Sequence, residues 1–135
     1  MSKSLIIGLI YQYSSMFGVD PNIAMAVVQT ESNYNVNAVG SLGEVGLFQI
    51  RPEYTTFTKK ELKDPNVNII VGIIKLRDAK NNCSHKKNNS WLVCYNAGVE
   101  GAKKIKHPDN FSYVMKINKI VKEKNHEKDL FISDL

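Results

Sequence analysis

No stretch of this 135-residue chain reaches the roughly 18 consecutive apolar residues that a membrane-spanning helix takes. The apolar run near the N-terminus, Leu5–Ile10, is six residues long, and Tyr11, Gln12 and Tyr13 interrupt it. A secretory signal takes about 7–15 apolar residues followed by a small-residue cleavage site. The run is therefore expected to be a helix packing on the core, with no export signal and no membrane insertion. Metal-binding patterns are missing as well. His85, His107 and His126 lie far apart in polar stretches, and neither H-E-x-x-H nor a paired C-x-x-C occurs. By that spacing, zinc peptidase and amidase chemistry lack their ligands, and neither metal nor cofactor is expected. There is no glycine-rich phosphate loop. Nothing in the sequence orients Cys94 towards His107 as a thiol–imidazole pair.

Cysteine is scarce. Cys83 and Cys94 are the only two, with ten residues between them. A disulfide closing that loop would contribute about 2–3 kcal/mol. Two reduced thiols, Cys94 buried within Trp91-Leu92-Val93-Cys94-Tyr95, are the alternative, and the expectation leans that way. Acidic residues are outnumbered, 13 against 18 Lys and Arg, for a formal charge of +5. The excess is uneven: residues 1–50 hold Lys3 against Asp20, Glu31 and Glu44, and the other seventeen basic residues lie beyond. A basic surface attracts polyanions such as cell-wall polymers. The lysines are scattered, with no dense basic block and little aromatic interleaving, so nucleic acid is not an expected partner.

What is present is an ordinary globular composition, 43% hydrophobic and 23% charged, in a length that suits one domain over residues 1–135. Asp20-Pro21 and Asp64-Pro65 are helix starts, an N-cap followed by proline at the first helical position. From Pro21 the run NIAMAVVQTE reads as a buried helix ending near Ser32-Asn33. From Pro65 the run NVNIIVGIIKLRDAK is apolar on most faces, the pattern of a central core helix. Asn89-Ser90 suits the cap of a short helix through Tyr95 that Gly98 terminates nearby, with a further short helix around 99–105. A last helix is expected from Asp109-Asn110, with Phe111, Val114, Met115, Ile117, Ile120 and Val121 at helical spacing. About 126–135 reads as a tail. Between Asn33 and Gly46 the asparagines and glycines predict a loop or small irregular hairpin. The expected class is mainly α, in one compact helical domain with an irregular loop.

Glu31 stands in the last turn of an apolar helix, just before that loop. Its neighbours desolvate a carboxyl there, which favours the protonated form that donates a proton near neutral pH. A negative charge at a helix C-terminus is also unfavourable by about 0.3–1 kcal/mol. A plain surface glutamate at a helix end is the alternative. The surrounding text is more specific. Glu31-Ser32-Asn33-Tyr34-Asn35 leads to Gly43-Glu44-Val45-Gly46-Leu47-Phe48-Gln49-Ile50, then to Tyr95-Asn96-Ala97-Gly98 and to Tyr113-Val114.

Together these segments resemble the soluble lytic transglycosylase family, over roughly residues 5–121. The resemblance implies an α+β lysozyme-like fold, with the loop forming one side of a sugar-binding groove. It implies a peptidoglycan substrate of alternating N-acetylglucosamine and N-acetylmuramic acid, with Glu31 as catalytic acid and base. It assigns substrate binding or positioning to Ser32, Gln49, Tyr95, Asn96 and Tyr113. Those residue types suit sugar binding, since amide side chains donate and accept towards acetamido and hydroxyl groups, and tyrosines offer flat faces to sugar rings.

Ordinary glycoside hydrolysis uses two carboxylates, whereas this family is described as using one and closing a 1,6-anhydro ring on muramic acid. Glu44 departs from the family pattern, in which a small residue is usual there. It stands two before Gly46, the placement of an acidic residue in animal-type lysozymes. Glu44 is accordingly expected among the substrate-binding residues, a hydrolytic muramidase using Glu31 and Glu44 is the second expectation, and a solvent-facing loop glutamate is the plain alternative. A third, of another class, is a non-catalytic peptidoglycan-binding or virion structural module. The family includes many phage proteins. The expected setting is the cell wall or periplasm, reached in a phage particle or through a pore, as a monomer or as part of that particle.

Overall fold

In the computed structural model, which describes residues 1–134, each early helix starts where the sequence offers an acceptor for its first amides. Helix α1 (Lys3–Phe17) is capped by Ser2, whose hydroxyl accepts from the Leu5 N–H at 3.2 Å. It ends at Gly18, φ 69°. Helix α2 (Pro21–Ser32) starts at Asp20, whose carboxylate accepts from the Asn22 N–H at 2.9 Å, and closes at Asn33 in the left-handed conformation. A capping box of Thr58 and Glu61 opens the single turn α3 (Lys59–Leu62). Helix α4 (Pro65–Asn82) repeats the Asp-Pro device, with Asp64 Oδ1 2.9 Å from the Asn66 N–H. Both Asp-Pro starts are where the residue types place them, because capping is decided within one turn of chain.

The chain divides into two compact units, Met1–Arg77 and a second from Asp78 onward, the boundary falling within α4. In the first, α1 packs on α2, and Ile6, Ile10, Ile23, Val27, Leu47, Phe48, Ile50, Leu62, Ile69, Ile73 and Leu76 are buried. The ring of Phe48 lies so close to α4 that a Cβ on Gly72 would stand 2.2 Å from its Cγ. The sheet content of the described residues is two isolated antiparallel bridges, Val39 with Val45 and Val45 with Ile50. The expected mainly-α class with a small irregular hairpin is the architecture observed.

In the second unit, helix α5 (Leu92–Ala102) is broken at Gly98, whose φ 77° and ψ 160° leave the helical region. That residue splits it into the two short pieces the sequence suggested. Helix α6 (Ser112–Ser133) follows a 3-10 turn at Pro108–Asn110. Two expectations are corrected here. Cys83 and Cys94, 3% and 6% exposed, are joined in a disulfide rather than standing as reduced thiols. Their Cα atoms are 5.9 Å apart, because the 3-10 turn Lys87–Asn89, with left-handed Asn88, folds α5 back towards the end of α4. The segment from Asn125 to Ser133, expected as a tail, continues α6 with an exposed surface. No helix of the described residues is long and apolar enough to cross a membrane.

Candidate active site

Glu31 occupies the last turn of α2 and is half-buried. Six consecutive residues of the same helix, Ile23–Val28, are buried, so the helix is fixed in the core up to one turn before the acid. Ser32 Oγ donates to the Val28 carbonyl at 3.1 Å, turning the hydroxyl back on its own helix. Asn33 and Tyr34 then both take positive φ, 48° and 64°, and this pair of left-handed residues reverses the chain straight after Glu31-Ser32. Tyr34 is held from two sides: its hydroxyl donates to the Met25 carbonyl at 3.5 Å, and the Lys3 ammonium lies 4.7 Å over its ring. Strained backbone of this kind persists only where surrounding contacts over-determine it.

The loop that follows is tied to itself. Gly46 N–H donates to the Ala38 carbonyl, and Val45 and Ile50 exchange a pair of backbone bonds at 2.9 and 3.0 Å. Gln49 takes φ 50° and sends its Nε2 to the carbonyls of Ala38 (3.2 Å) and Gly46 (2.9 Å). Its amide therefore pins both limbs of the loop, and this pairing orients Oε1 the other way, towards Gly40. Glu44 is half-buried and folds over its own turn, its Oε1 accepting the Leu42 N–H at 2.6 Å.

Asn68, 1% exposed on α4, is a polar residue in an apolar helix. Its Oδ1 accepts from the Phe48 N–H at 2.8 Å, and its Nδ2 donates to the Val45 and Leu62 carbonyls at 2.8 and 2.9 Å. A Cβ on Gly46, φ 75°, would stand 2.5 Å from Asn68 Nδ2, so glycine is required there both for backbone conformation and for space. Asn68 thus fastens the segment that presents Gln49.

Lys75 comes from the same helix and is half-buried. Burial holds its ammonium below the ordinary lysine range, the charge of Glu31 opposes that shift, and the charge of Arg51 adds to it. Arg51 donates from Nε to Glu53 Oε1 at 2.5 Å and lies 4.8 Å over the Tyr54 ring. The acid of α2 and the cation of α4 are therefore within each other's field.

In the second unit Tyr95, in the first turns of α5, and Tyr113, in the first turn of α6, stack with ring centroids 6.5 Å apart at 26°. Both are half-buried. The disulfided Cys94 precedes Tyr95 directly, so the bridge anchors the turn that carries the ring. Asn96 is exposed, two residues before the break at Gly98.

The structure thus brings the Glu44 and Gln49 side chains together over Gly40 and pairs Tyr95 with Tyr113 in the other unit, while Glu31 and Ser32 end the helix that leads into the loop. Sequence reasoning missed Asn68 and Lys75. A lone Asn inside VNIIVGII was the available signal for the first; nothing local marks the second. Among the described residues no three His, Cys, Asp or Glu side chains gather to hold a metal ion.

Residues 8–114 match the family described as Transglycosylase SLT domain. The chain is 26% identical over 134 residues to the membrane-bound lytic murein transglycosylase C of Histophilus somni (strain 2336), an alignment covering 85% of this chain and 37% of that protein. It is 33% identical over 94 residues to the transglycosylase of Enterobacteria phage PRD1, covering 66% and 33% of the two. To the membrane-bound lytic murein transglycosylase E of Buchnera aphidicola subsp. Baizongia pistaciae (strain Bp) it is 27% identical over 134 residues, covering 88% and 63%. The chain spans little more than a third of the first of these relatives.

Proposed function

Because the chain belongs to the Transglycosylase SLT domain family, we propose that it cleaves the β-1,4 bond between N-acetylmuramic acid and N-acetylglucosamine in peptidoglycan, with Glu31 as the single acid and base. The observation that carries this reading is the placement of Glu31: half-buried, on the last turn of a rigidly packed helix, at the entry to a loop fastened by Gln49 and Asn68. Glu31 in its protonated form gives its proton to the glycosidic oxygen as the bond to the anomeric carbon breaks. The neighbouring N-acetyl group stabilises the cation that develops there. The carboxylate of Glu31 then takes the proton of the muramic acid C6 hydroxyl, whose oxygen bonds the anomeric carbon. A 1,6-anhydro ring forms, no water is consumed, and Glu31 is protonated again. The Lys75 charge supports the carboxylate form through which this cycle passes.

Two observations favour this route over the two-carboxylate one. Glu44 is engaged with the Leu42 N–H of its own turn, and it crowds Gly40 rather than standing apart as an independent base. Gln49, Tyr95, Asn96 and Tyr113 take the role of sugar-binding residues, and the match to residues 8–114, which runs through both units, supports reading them as one lysozyme-like domain. The likeness to a phage transglycosylase supports a phage setting, in which the chain reaches the wall in a particle or through a pore, and its presence in or absence from purified particles tells the two apart.

Digestion of purified sacculi tests the chemistry. Released muropeptides lighter by one water than hydrolytic products are expected, and Glu31→Gln should lower their release on the order of 10³-fold while its thermal unfolding matches wild type. Ordinary reducing ends, or release unaffected by Glu31→Gln, would overturn the reading.

A further inference from the structure

Tyr34 holds a backbone conformation that its side chain makes costly. After Glu31-Ser32 the chain takes φ 48° at Asn33 and 64° at Tyr34. Asparagine visits the left-handed region readily and can end a helix there, so Asn33 alone closes α2. A second left-handed residue is not needed for that, and a bulky aromatic enters the region only when its surroundings hold it. The side chain of Tyr34 makes the holding contacts. Its hydroxyl donates to the Met25 carbonyl at 3.5 Å, and Met25 is a core residue of the same helix, 5% exposed. Met25 stands six residues before Glu31, or about 9 Å along the axis at 1.5 Å per residue. The tyrosine therefore runs back past the turn that carries the acid. From α1, which packs on α2, the Lys3 ammonium lies 4.7 Å over the same ring.

We propose that Tyr34 is a positioning residue for Glu31: a strap from the end of α2 back to Met25, covered by Lys3, that holds the acid's turn in place. This rests on the reading of Glu31 as the proton donor and deepens it. The strap acts through the backbone rather than on substrate. The last turn of a helix has carbonyls without intrahelical partners and is the part that frays. A proton donor on a fraying turn spends part of its time out of line with the glycosidic oxygen. Misplacement by about 1 Å costs on the order of 100-fold in rate, so the strain at Tyr34 is offset by what it keeps aligned.

Tyr34→Phe removes the hydroxyl bond and keeps the ring under Lys3, while Tyr34→Ala removes both contacts. On sacculi kcat should fall about tenfold in the first and on the order of 100-fold in the second, with KM held within about twofold. Lys3→Met should lower kcat in the wild-type background and add nothing to Tyr34→Ala, because the ring it covers is gone; additive losses would remove Lys3 from the strap. Calorimetric titration of N-acetylglucosamine oligomers on the Glu31→Gln protein, where no cleavage intervenes, should give one Kd with and without Tyr34→Phe. A tyrosine that only supports the fold would lower the melting temperature and leave kcat alone. Unchanged kcat in Tyr34→Phe would thus overturn the strap, and so would a Kd weakened in step with kcat. Amide hydrogen exchange reads the strap without turnover. The amides of Thr30, Glu31, Ser32 and Asn33 should exchange about tenfold faster in Tyr34→Phe while those of α4 keep their rates, and unchanged exchange overturns it too. If wild type releases no muropeptides, the reading of Glu31 as the acid fails on that arm alone, and exchange still decides the strap.

Discussion

Lys75 brings a cation to the neighbourhood of Glu31 from a helix other than the one that carries the acid. Electrostatic coupling between two groups is reciprocal: the Glu31 charge that raises the lysine also means that the lysine charge favours ionised Glu31. Removing the cation therefore lets the Glu31 carboxyl keep its proton to higher pH. On the proposed mechanism turnover needs the protonated acid and falls as pH rises through its titration. In Lys75→Met the alkaline limb of the kcat profile should shift to higher pH, with little change in thermal stability, because methionine keeps the buried stem. An unmoved limb would show that the lysine does not act on the acid. Residues of this kind escape sequence reading for a physical reason. Glu31 announces itself through its own helix, a lone acid closing an apolar run, while Lys75 matters through a partner 44 positions away in the chain. Glu44 was legible as a departure from the family pattern, but its fold over Gly40 depends on turn geometry that no spacing rule encodes.

Among elements, the ones read correctly are those whose causes are local. The Asp-Pro starts of α2 and α4, the end of α2 at Asn33 and the break at Gly98 each depend on a few adjacent residues. The continuation of α6 to Ser133 was missed because apolar spacing stops at Val121, yet the Lys- and Glu-rich stretch that follows has good intrinsic helix propensity. Cys83 and Cys94 gave no local cue to their pairing, which the return of α5 decides, and the bridge contributes about 3 kcal/mol by loop closure. Asn68 shows the opposite case, one polar side chain in a core helix that fastens an entire loop. Asn68→Ala would leave the Phe48 N–H and the Val45 and Leu62 carbonyls without their buried partner. Each such group costs about 1–3 kcal/mol, so urea unfolding should show a loss of about 3 kcal/mol or more. Activity should fall further than stability requires, because the freed segment presents Gln49. A variant with wild-type stability and kcat would exclude this role.

For the whole molecule the dominant property is charge. The formal +5 arises almost entirely beyond residue 50, where lysines punctuate α6 at Lys116, Lys119, Lys122, Lys124 and Lys128. These side chains are at least partly in solvent, so their effect on a partner is long-range attraction rather than tight pairing. Cell walls are anionic through the carboxylates of their peptide stems, and N-acetylglucosamine oligomers are neutral; the proposed site would meet sugar in both. Between about 0.01 M and about 0.15 M salt the Debye length falls from about 30 Å to about 8 Å. Attraction across the surface is screened over that range, while short-range contacts around Glu31 are not. Raising salt across it should therefore raise KM on sacculi severalfold and leave kcat nearly constant. The Kd for the neutral oligomer, titrated on the Glu31→Gln protein, should not move. Replacing Lys116, Lys119 and Lys122 together by Gln should flatten the salt dependence on sacculi without altering the oligomer titration. Equal salt sensitivity on both ligands would place the effect in the sugar site itself and remove the basic surface from the mechanism of wall binding.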